Sequence, residues 1–164
     1  MAKKKTTVTN VMRLLTASKI EYNAVFYEAD ESKLSDNEFG MHIAELTGIS
    51  PDISFKTLVG RGDKTGVVVC CIPVNCELDL KKAAKATGNK KLELIAVREL
   101  LGLTGYIRGG VSPIGMKKKY PTYIHNSAED AAEIAVSGGV CGVTVLLKPT
   151  DLIKVTLGEF AELS

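Results

Sequence analysis

The chain has 164 residues, 45% of them hydrophobic, enough to bury a continuous core. Its 21 basic and 19 acidic residues leave a net charge of +2, too small for nucleic-acid binding through the whole molecule. No run of about eighteen apolar residues occurs, and Met1-Ala2-Lys3-Lys4-Lys5 leads into Thr6 and Thr7 rather than an apolar signal segment, so a soluble cytoplasmic protein with no membrane partner is expected.

Val8, Val11, Met12 and Leu15 repeat at helical spacing, which predicts an opening helix capped by Thr7 or Thr9. Residues 20–27 alternate as a strand, with Val25 and Tyr27 opposite Ala24 and Phe26. Ser35-Asp36-Asn37-Glu38 is a capping-box pattern, and Phe39, Ile43 and Leu46 form the apolar face of the helix after it, stopped by Gly48. Residues 55–59 and 67–74 read as a hairpin in the middle of the sheet, with residues 60–66 as its loop. Asp79 caps a helix through Leu80, Ala83, Ala84 and Ala86 that ends at Gly88; residues 92–101 mix strand and helix signals and end at Gly102. Tyr106-Ile107 leads into a glycine-rich loop. Residues 122–125, 133–136 and 143–147 are strands, with Gly138-Gly139 turning between the last two, and residues 151–155 are a short helix or turn. Helices interleave with strands, but a hairpin precludes a purely parallel sheet. The expected fold is α/β: a single domain over residues 1–164, with a curved mixed β-sheet or barrel-like core and helices packed outside.

Cys70, Cys71, Cys76 and Cys141 contain no Cys-x-x-Cys pair, and the adjacent Cys70 and Cys71 point to opposite faces of a strand. His42 and His125 have no second ligand at metal-binding spacing, so neither a metal nor another cofactor is expected. Lysines cluster at 3–5, at 81, 82 and 85, at 90 and 91, and at 117–119. Each run alone reads as a solvated face; together they admit a phosphate-bearing partner.

Signatures of triad hydrolases, Walker loops, dinucleotide folds and zincins are absent. Gly60-Arg61-Gly62 reads as a turn. Lys56 interrupts an apolar strand. It is either the wet side of a half-buried strand or a fixed cation in a cleft, able to hold a phosphate or polarise a carbonyl. Gly109-Gly110-Val111-Ser112-Pro113-Ile114-Gly115 is either a tight strand connection or a cradle of bare N–H groups for an anion or oxyanion, with Lys117, Lys118 and Lys119 at its rim, where an RNA backbone would meet the protein. Ser112 has no base beside it in sequence; only Lys56 or His125 reaches it through folding.

Tyr27, Phe39-Gly40, Phe55-Lys56-Thr57-Leu58, residues 78–85, residues 104–115 and Ser137-Gly138-Gly139 together resemble the YbaK/EbsC group of the bacterial trans-editing superfamily, which also includes the editing domain of bacterial prolyl-tRNA synthetases. The resemblance implies a YbaK-like fold and hydrolysis in trans of a mischarged aminoacyl-tRNA, Cys-tRNA(Pro) first and Cys-tRNA(Cys) next; its partners would be aminoacylated tRNA and prolyl-tRNA synthetase. Size alone discriminates amino acids by only about 1–3 kcal/mol per methylene, so a second hydrolytic site answers a physical need. The resemblance assigns catalysis to Lys56 and to the backbone at Gly110. It assigns substrate binding to Tyr27, Phe39, Thr57, Gly109, Ser112, Pro113, Ser137 and Gly138; tRNA binding at Lys117, Lys118 and Lys119 is expected from their place directly after the loop. In relatives the cysteine thiol of the substrate is thought to attack its own ester carbonyl, which needs no triad. The chain departs from the group at Met41-His42 and at Val140-Cys141, where acidic and basic residues are expected. An Ala-tRNA(Pro) deacylase using water and a non-catalytic tRNA-binding or regulatory module are the alternatives.

Overall fold

A computed structural model describes residues 8–28 and 36–164. The first helix, α1 (Asn10–Ala17), begins where the Thr9 side chain accepts the Met12 N–H at 3.2 Å; Thr7 lies outside the described residues. Its stripe is Val11, Met12 and Leu15, all buried, whereas Val8 precedes the cap and is exposed. Strand β1 (Asn23–Phe26) is shorter than residues 20–27 because the chain is still turning at Lys19, whose φ is 59°.

Helix α2 (Asp36–Thr47) lies over the end of a central strand; Ser35 of the capping-box pattern is outside the described residues. Its buried residues are Gly40 and Ala44; of the expected face, Phe39 and Ile43 are half-buried against the interior and Leu46 alone is exposed. The cause is close approach at Gly40, where a Cβ would stand 2.8 Å from Val74 Cγ1.

Of the hairpin strands, β2 (Phe55–Gly62) runs three residues further than the sequence predicts and β3 (Gly66–Pro73) is shifted by one residue, pairing from Phe55↔Pro73 to Gly62↔Gly66. Gly60-Arg61-Gly62 is therefore strand, and the turn is residues 63–65. What closes it is remote. Asn89, after helix α3 (Leu80–Thr87), accepts the N–H groups of Lys64 at 2.8 Å and Thr65 at 2.9 Å and donates to Thr65 Oγ1 at 2.8 Å. Gly62 makes room, since a Cβ there would lie 2.2 Å from the Asn89 amide. Helix α3 has Asp79 and Gly88 as its caps, as expected.

After β4 (Leu92–Leu94) comes a 3-10 turn, Val97–Glu99, and α4 (Leu100–Thr104), which ends at Gly105 rather than Gly102. The remaining elements are β5 (Thr122–His125), a 3-10 helix (Asn126–Asp130) capped by His125, β6 (Ile134–Ser137), β7 (Val143–Leu147), α5 (Pro149–Thr156) and β8 (Glu159–Ala161). The last strand has no counterpart in the sequence prediction: three residues carry no readable period.

Two sheets result. One is β4-β2-β3-β5-β8, mixed and with the hairpin inside it; the other is the antiparallel β1-β7-β6. Among the described residues they join at one parallel bridge, Ser54↔Ala135, and form no closed barrel. The alternation of β3 divides the interior. Val69 and Cys71 face the larger core with Val11, Leu15, Ile124, Ile134 and Val145, while Val68, Cys70 and Ile72 pack with Ala83, Ala84 and Leu92 on the α3 side. Cys70 and Cys71 thus occupy opposite faces as expected. Among the described residues no helix is long and apolar enough to cross a membrane.

Candidate active site

Strand β2 outlasts both of its outer neighbours. It pairs with β4 only at Gly60, Arg61 and Gly62, and its first residues diverge from β6 after the bridge at Ser54. The gap opens into a cavity of about 210 Å³. A single water needs roughly 10–15 Å³ by such a measure, so the space admits a small organic group.

Six of the residues given a catalytic or substrate-binding role from sequence line this cavity: Tyr27, Phe39, Lys56, Thr57, Gly109 and Ser137. Lys56 is opposite Ile72 and so shares its sheet face, while Thr57, opposite Cys71, is on the other. The Thr57 hydroxyl is 3.9 Å from Cys71 Sγ. Ser137 Oγ accepts the Gly139 N–H at 3.2 Å, which fixes the turn after β6.

Other expected residues serve the loop and not the wall. Ser112 is 0% exposed, and its Oγ accepts the Ile114 N–H at 3.3 Å. Gly110 is buried against the Val140 backbone, where a Cβ would come within 2.9 Å, and its own N–H donates to Ile107 O at 2.9 Å. That N–H is committed to the turn, whereas its neighbours Gly109 and Val111 are both on the wall. Gly138 likewise spends its N–H on Val143 O at 2.8 Å. Pro113 faces a second hollow, with Lys118 and Lys119, instead of the cavity rim. Lys117 is exposed, and its N–H donates to Thr104 O at 3.0 Å.

The loop is held rigidly. The Tyr106 hydroxyl donates to Ile114 O and the Tyr106 N–H donates to Thr104 Oγ1 at 3.0 Å; burial pushes the phenol above its ordinary range, keeping it a donor. The opposite wall contains Leu94, Ile95, Val97 and Leu100. It is tied to β2 by Arg61, whose Nη2 is 3.0 Å from Glu99 Oε1, while Glu99 Oε2 accepts the Ala96 N–H at 3.2 Å. The Arg61 bond, with help from Ala96, holds the Glu99 carboxyl below its ordinary range.

Sequence reasoning gave no role to Arg108, Thr144 or the aliphatic wall, and named Val111 only as part of the glycine-rich loop. Arg108 had a signal, its position directly before Gly109-Gly110. The aliphatic residues had none, since they read as ordinary core.

Neither histidine lines the cavity. His125 is occupied as a cap: its Nδ1 accepts the Ser127 N–H at 3.1 Å, and its Nε2 is 2.6 Å from Ser164 Oγ. Burial pushes the thiols of Cys70 and Cys71 up to about 12, so neither is a nucleophile at neutral pH. Among the described residues no group of three or more His, Cys, Asp or Glu could hold a metal ion. Lys56 and Arg108 bring positive charge to this wall, and such a site can position an anionic or ester-bearing reactant.

The family model described as "Aminoacyl-tRNA editing domain" matches residues 41–155. An Enterococcus faecalis protein named "Putative Cys-tRNA(Pro)/Cys-tRNA(Cys) deacylase EbsC" is 47% identical over 165 residues, covering 100% of this chain and 98% of that one. The proline–tRNA ligase of Brachyspira hyodysenteriae is 28% identical over 83 residues, 51% of this chain and 14% of the ligase. The solved structure "Crystal structure of a putative trans-editing enzyme for prolyl tRNA synthetase" matches with a TM-score of 0.75 and 23% identity over 96% of this chain and 99% of that one, a likeness of fold. With its cavity built from the strand and loop that carry the sequence motifs, and with a family match across most of its length, this chain belongs to the aminoacyl-tRNA editing domain family.

Proposed function

We propose that this chain, as one editing domain over residues 1–164, acts in the cytoplasm as a deacylase of Cys-tRNA(Pro), and of Cys-tRNA(Cys) as a second substrate, working in trans beside prolyl-tRNA synthetase. The observation that carries the reading is the shared cavity of Lys56, Thr57 and Gly109, joined by Arg108 and Ser137 and bordered by neither histidine. Such a wall supplies charge and orientation. A cysteinyl ester supplies the nucleophile.

In this reading Lys56 orients the terminal adenosine and the ester, and Tyr27, Phe39 and Ser137 enclose the aminoacyl group. The loop at Gly109-Gly110-Val111 stabilises the developing oxyanion, through the Gly109 and Val111 N–H groups because that of Gly110 is engaged. The substrate thiol attacks its own carbonyl carbon. The S–C bond forms, the C–O bond to the ribose breaks, the thiol proton passes to the departing 3′ oxygen, and water then opens the released thiolactone. Holding thiol and ester in a reactive conformation is where such a site gains its rate. Lys117, Lys118 and Lys119 contact the tRNA backbone, outside the cavity itself.

The test is a deacylation panel on purified tRNA(Pro) charged with cysteine or alanine, with and without the synthetase. Cys-tRNA(Pro) should be cleared at least about 100-fold faster than Ala-tRNA(Pro), the scale of one lost catalytic interaction. Lys56→Ala should lose most of the rate with an unchanged circular dichroism spectrum. Equal rates on both substrates would assign the nucleophile to water, and charged tRNA that binds yet hydrolyses no faster than in buffer would leave a binding module.

A further inference from the structure

The main chain of β2 inside the cavity has polar groups of its own to offer. Ile95 N–H donates to Val59 O at 3.0 Å, so the odd-numbered residues of β2 turn their N–H and C=O away from β3. The same edge carries Ile53 O, which accepts the Ala135 N–H at 2.8 Å. Val69, opposite Val59, correspondingly donates its N–H to Pro121 O at 2.9 Å on the far side. Thr57 lies between these two attachments. The β4 ladder stops at Gly60 and the β6 bridge at Ser54, so neither strand pairs with it. Walls from both faces of β2 border the one cavity, Lys56 and Leu58 from one face and Phe55, Thr57 and Val59 from the other, which requires the strand edge itself to stand in the cavity.

We infer that this one-residue opening in the sheet edge is the recognition element for the aminoacyl group, which adds to Thr57 as a strand residue would. An aminoacyl ester has the connectivity of a residue: an α-nitrogen that donates, an α-carbon, and a carbonyl oxygen that accepts. Residues directly opposite in a hydrogen-bonded antiparallel pair exchange both bonds, N–H to O in each direction. The Thr57 C=O accordingly accepts from the α-ammonium and the Thr57 N–H donates to the ester carbonyl oxygen, as in other additions to an open strand edge. The contact reads the α-amino-acyl unit and leaves selection of the side chain to the walls. It also adds a donor, on the strand side, to those of the glycine loop at the oxygen that becomes negative. The inference rests on the proposed substrate class, and deepens it.

The test changes the main chain alone. In a Thr57→Val background, α-hydroxyisovaleric acid at position 57 replaces the N–H by an ester oxygen with the same side chain. Relative to the Thr57→Val protein, kcat/KM on Cys-tRNA(Pro) should fall about 100-fold, the usual loss for one oxyanion donor. Affinity for 3′-deoxy-3′-(cysteinylamino)adenosine, a stable amide of the charged end, should fall about tenfold by calorimetry. On the substrate side, 3-mercaptopropionyl-tRNA(Pro), which keeps the thiol and lacks the α-amino group, should show KM raised about tenfold or more on the wild-type protein. Unchanged affinity of the backbone-ester protein for the amide would overturn the inference, and so would an unchanged KM for the deamino substrate. If wild-type protein fails to hydrolyse Cys-tRNA(Pro), the proposed activity falls, while the binding comparison still decides whether the Thr57 edge holds an aminoacyl group.

Discussion

Ser112→Ala separates a serine that does chemistry from one that shapes a loop. The side chain is 0% exposed, and its oxygen accepts a single hydrogen bond, from Ile114 N–H at 3.3 Å. Removing it deletes a long neutral bond worth about 0.5–1.5 kcal/mol and leaves a buried N–H unpaired; with that penalty the cost is about 1–3 kcal/mol. For a chain of this size each kcal/mol lowers Tm by about 2–4 °C, so thermal unfolding should shift by about 2–12 °C. Catalysis should suffer only as far as the loop moves Gly109 and Val111, within about tenfold in single-turnover deacylation of Cys-tRNA(Pro). A nucleophile behaves otherwise: in serine hydrolases its loss costs up to about 10⁶ in kcat. A fall beyond about 1000-fold with Tm unchanged would refute the reasoning and make Ser112 a reacting group.

Thiol modification should divide the four cysteines in two. Cys70 and Cys71 are buried with their thiols pushed up to about 12, so in native protein at pH 8 a disulfide reagent should titrate the partly exposed Cys76 and Cys141 and reach the other pair only after unfolding. The His125 imidazole is held below its ordinary range by burial, against a smaller opposing pull from Glu162. The unfolded chain therefore binds the proton more readily, so this contribution to stability is full above about pH 6.5 and is lost as pH falls through the folded value. Urea denaturation across pH 7 to 5 should show a shallower loss in His125→Gln than in wild type; parallel curves would remove His125 from the account. Gly62→Ala should destabilise by about 1–3 kcal/mol through collision with the Asn89 amide, and a double-mutant cycle with Asn89→Ala should reveal strong coupling. Additive losses would show that the two residues do not meet.

What the sequence disclosed and what it hid follow from the range of the forces involved. The α3 caps Asp79 and Gly88, the Gly138-Gly139 turn and the facing of Cys70 and Cys71 are local, set by side chains within a turn or two of their effect. The β2–β3 turn was misplaced because its glycines signal a break, while the group that closes it, Asn89, comes 26 residues after Asp63. On α2, Phe39 and Ile43 turn inward as expected and Leu46 does not, for a related reason. Leu46 carries more apolar surface than Gly40, but close approach to Val74 decides which side turns in. Within the site, Lys56 and Gly109 stood out as a charge in a strand and a glycine in a loop. Ile95 and Val97 did not, since nothing in their own neighbourhood tells a cavity wall from a core.

The position of the cavity has one cause, a mismatch of strand lengths. Strand β2 has 8 residues and β4 has 3, so an extended edge remains after the ladder ends. An open edge is a hazard in water because it templates pairing with another chain. Here β6 approaches at Ser54, α2 crosses near Val74, and residues 94–100 fold back under the Arg61–Glu99 pair, so the edge opens into a cavity instead of a flat surface. Extending β4 toward Thr57 would pair the edge and close the cavity together. The hollow and the unpaired main chain within it are thus one feature of the fold, and neither histidine of the chain borders it.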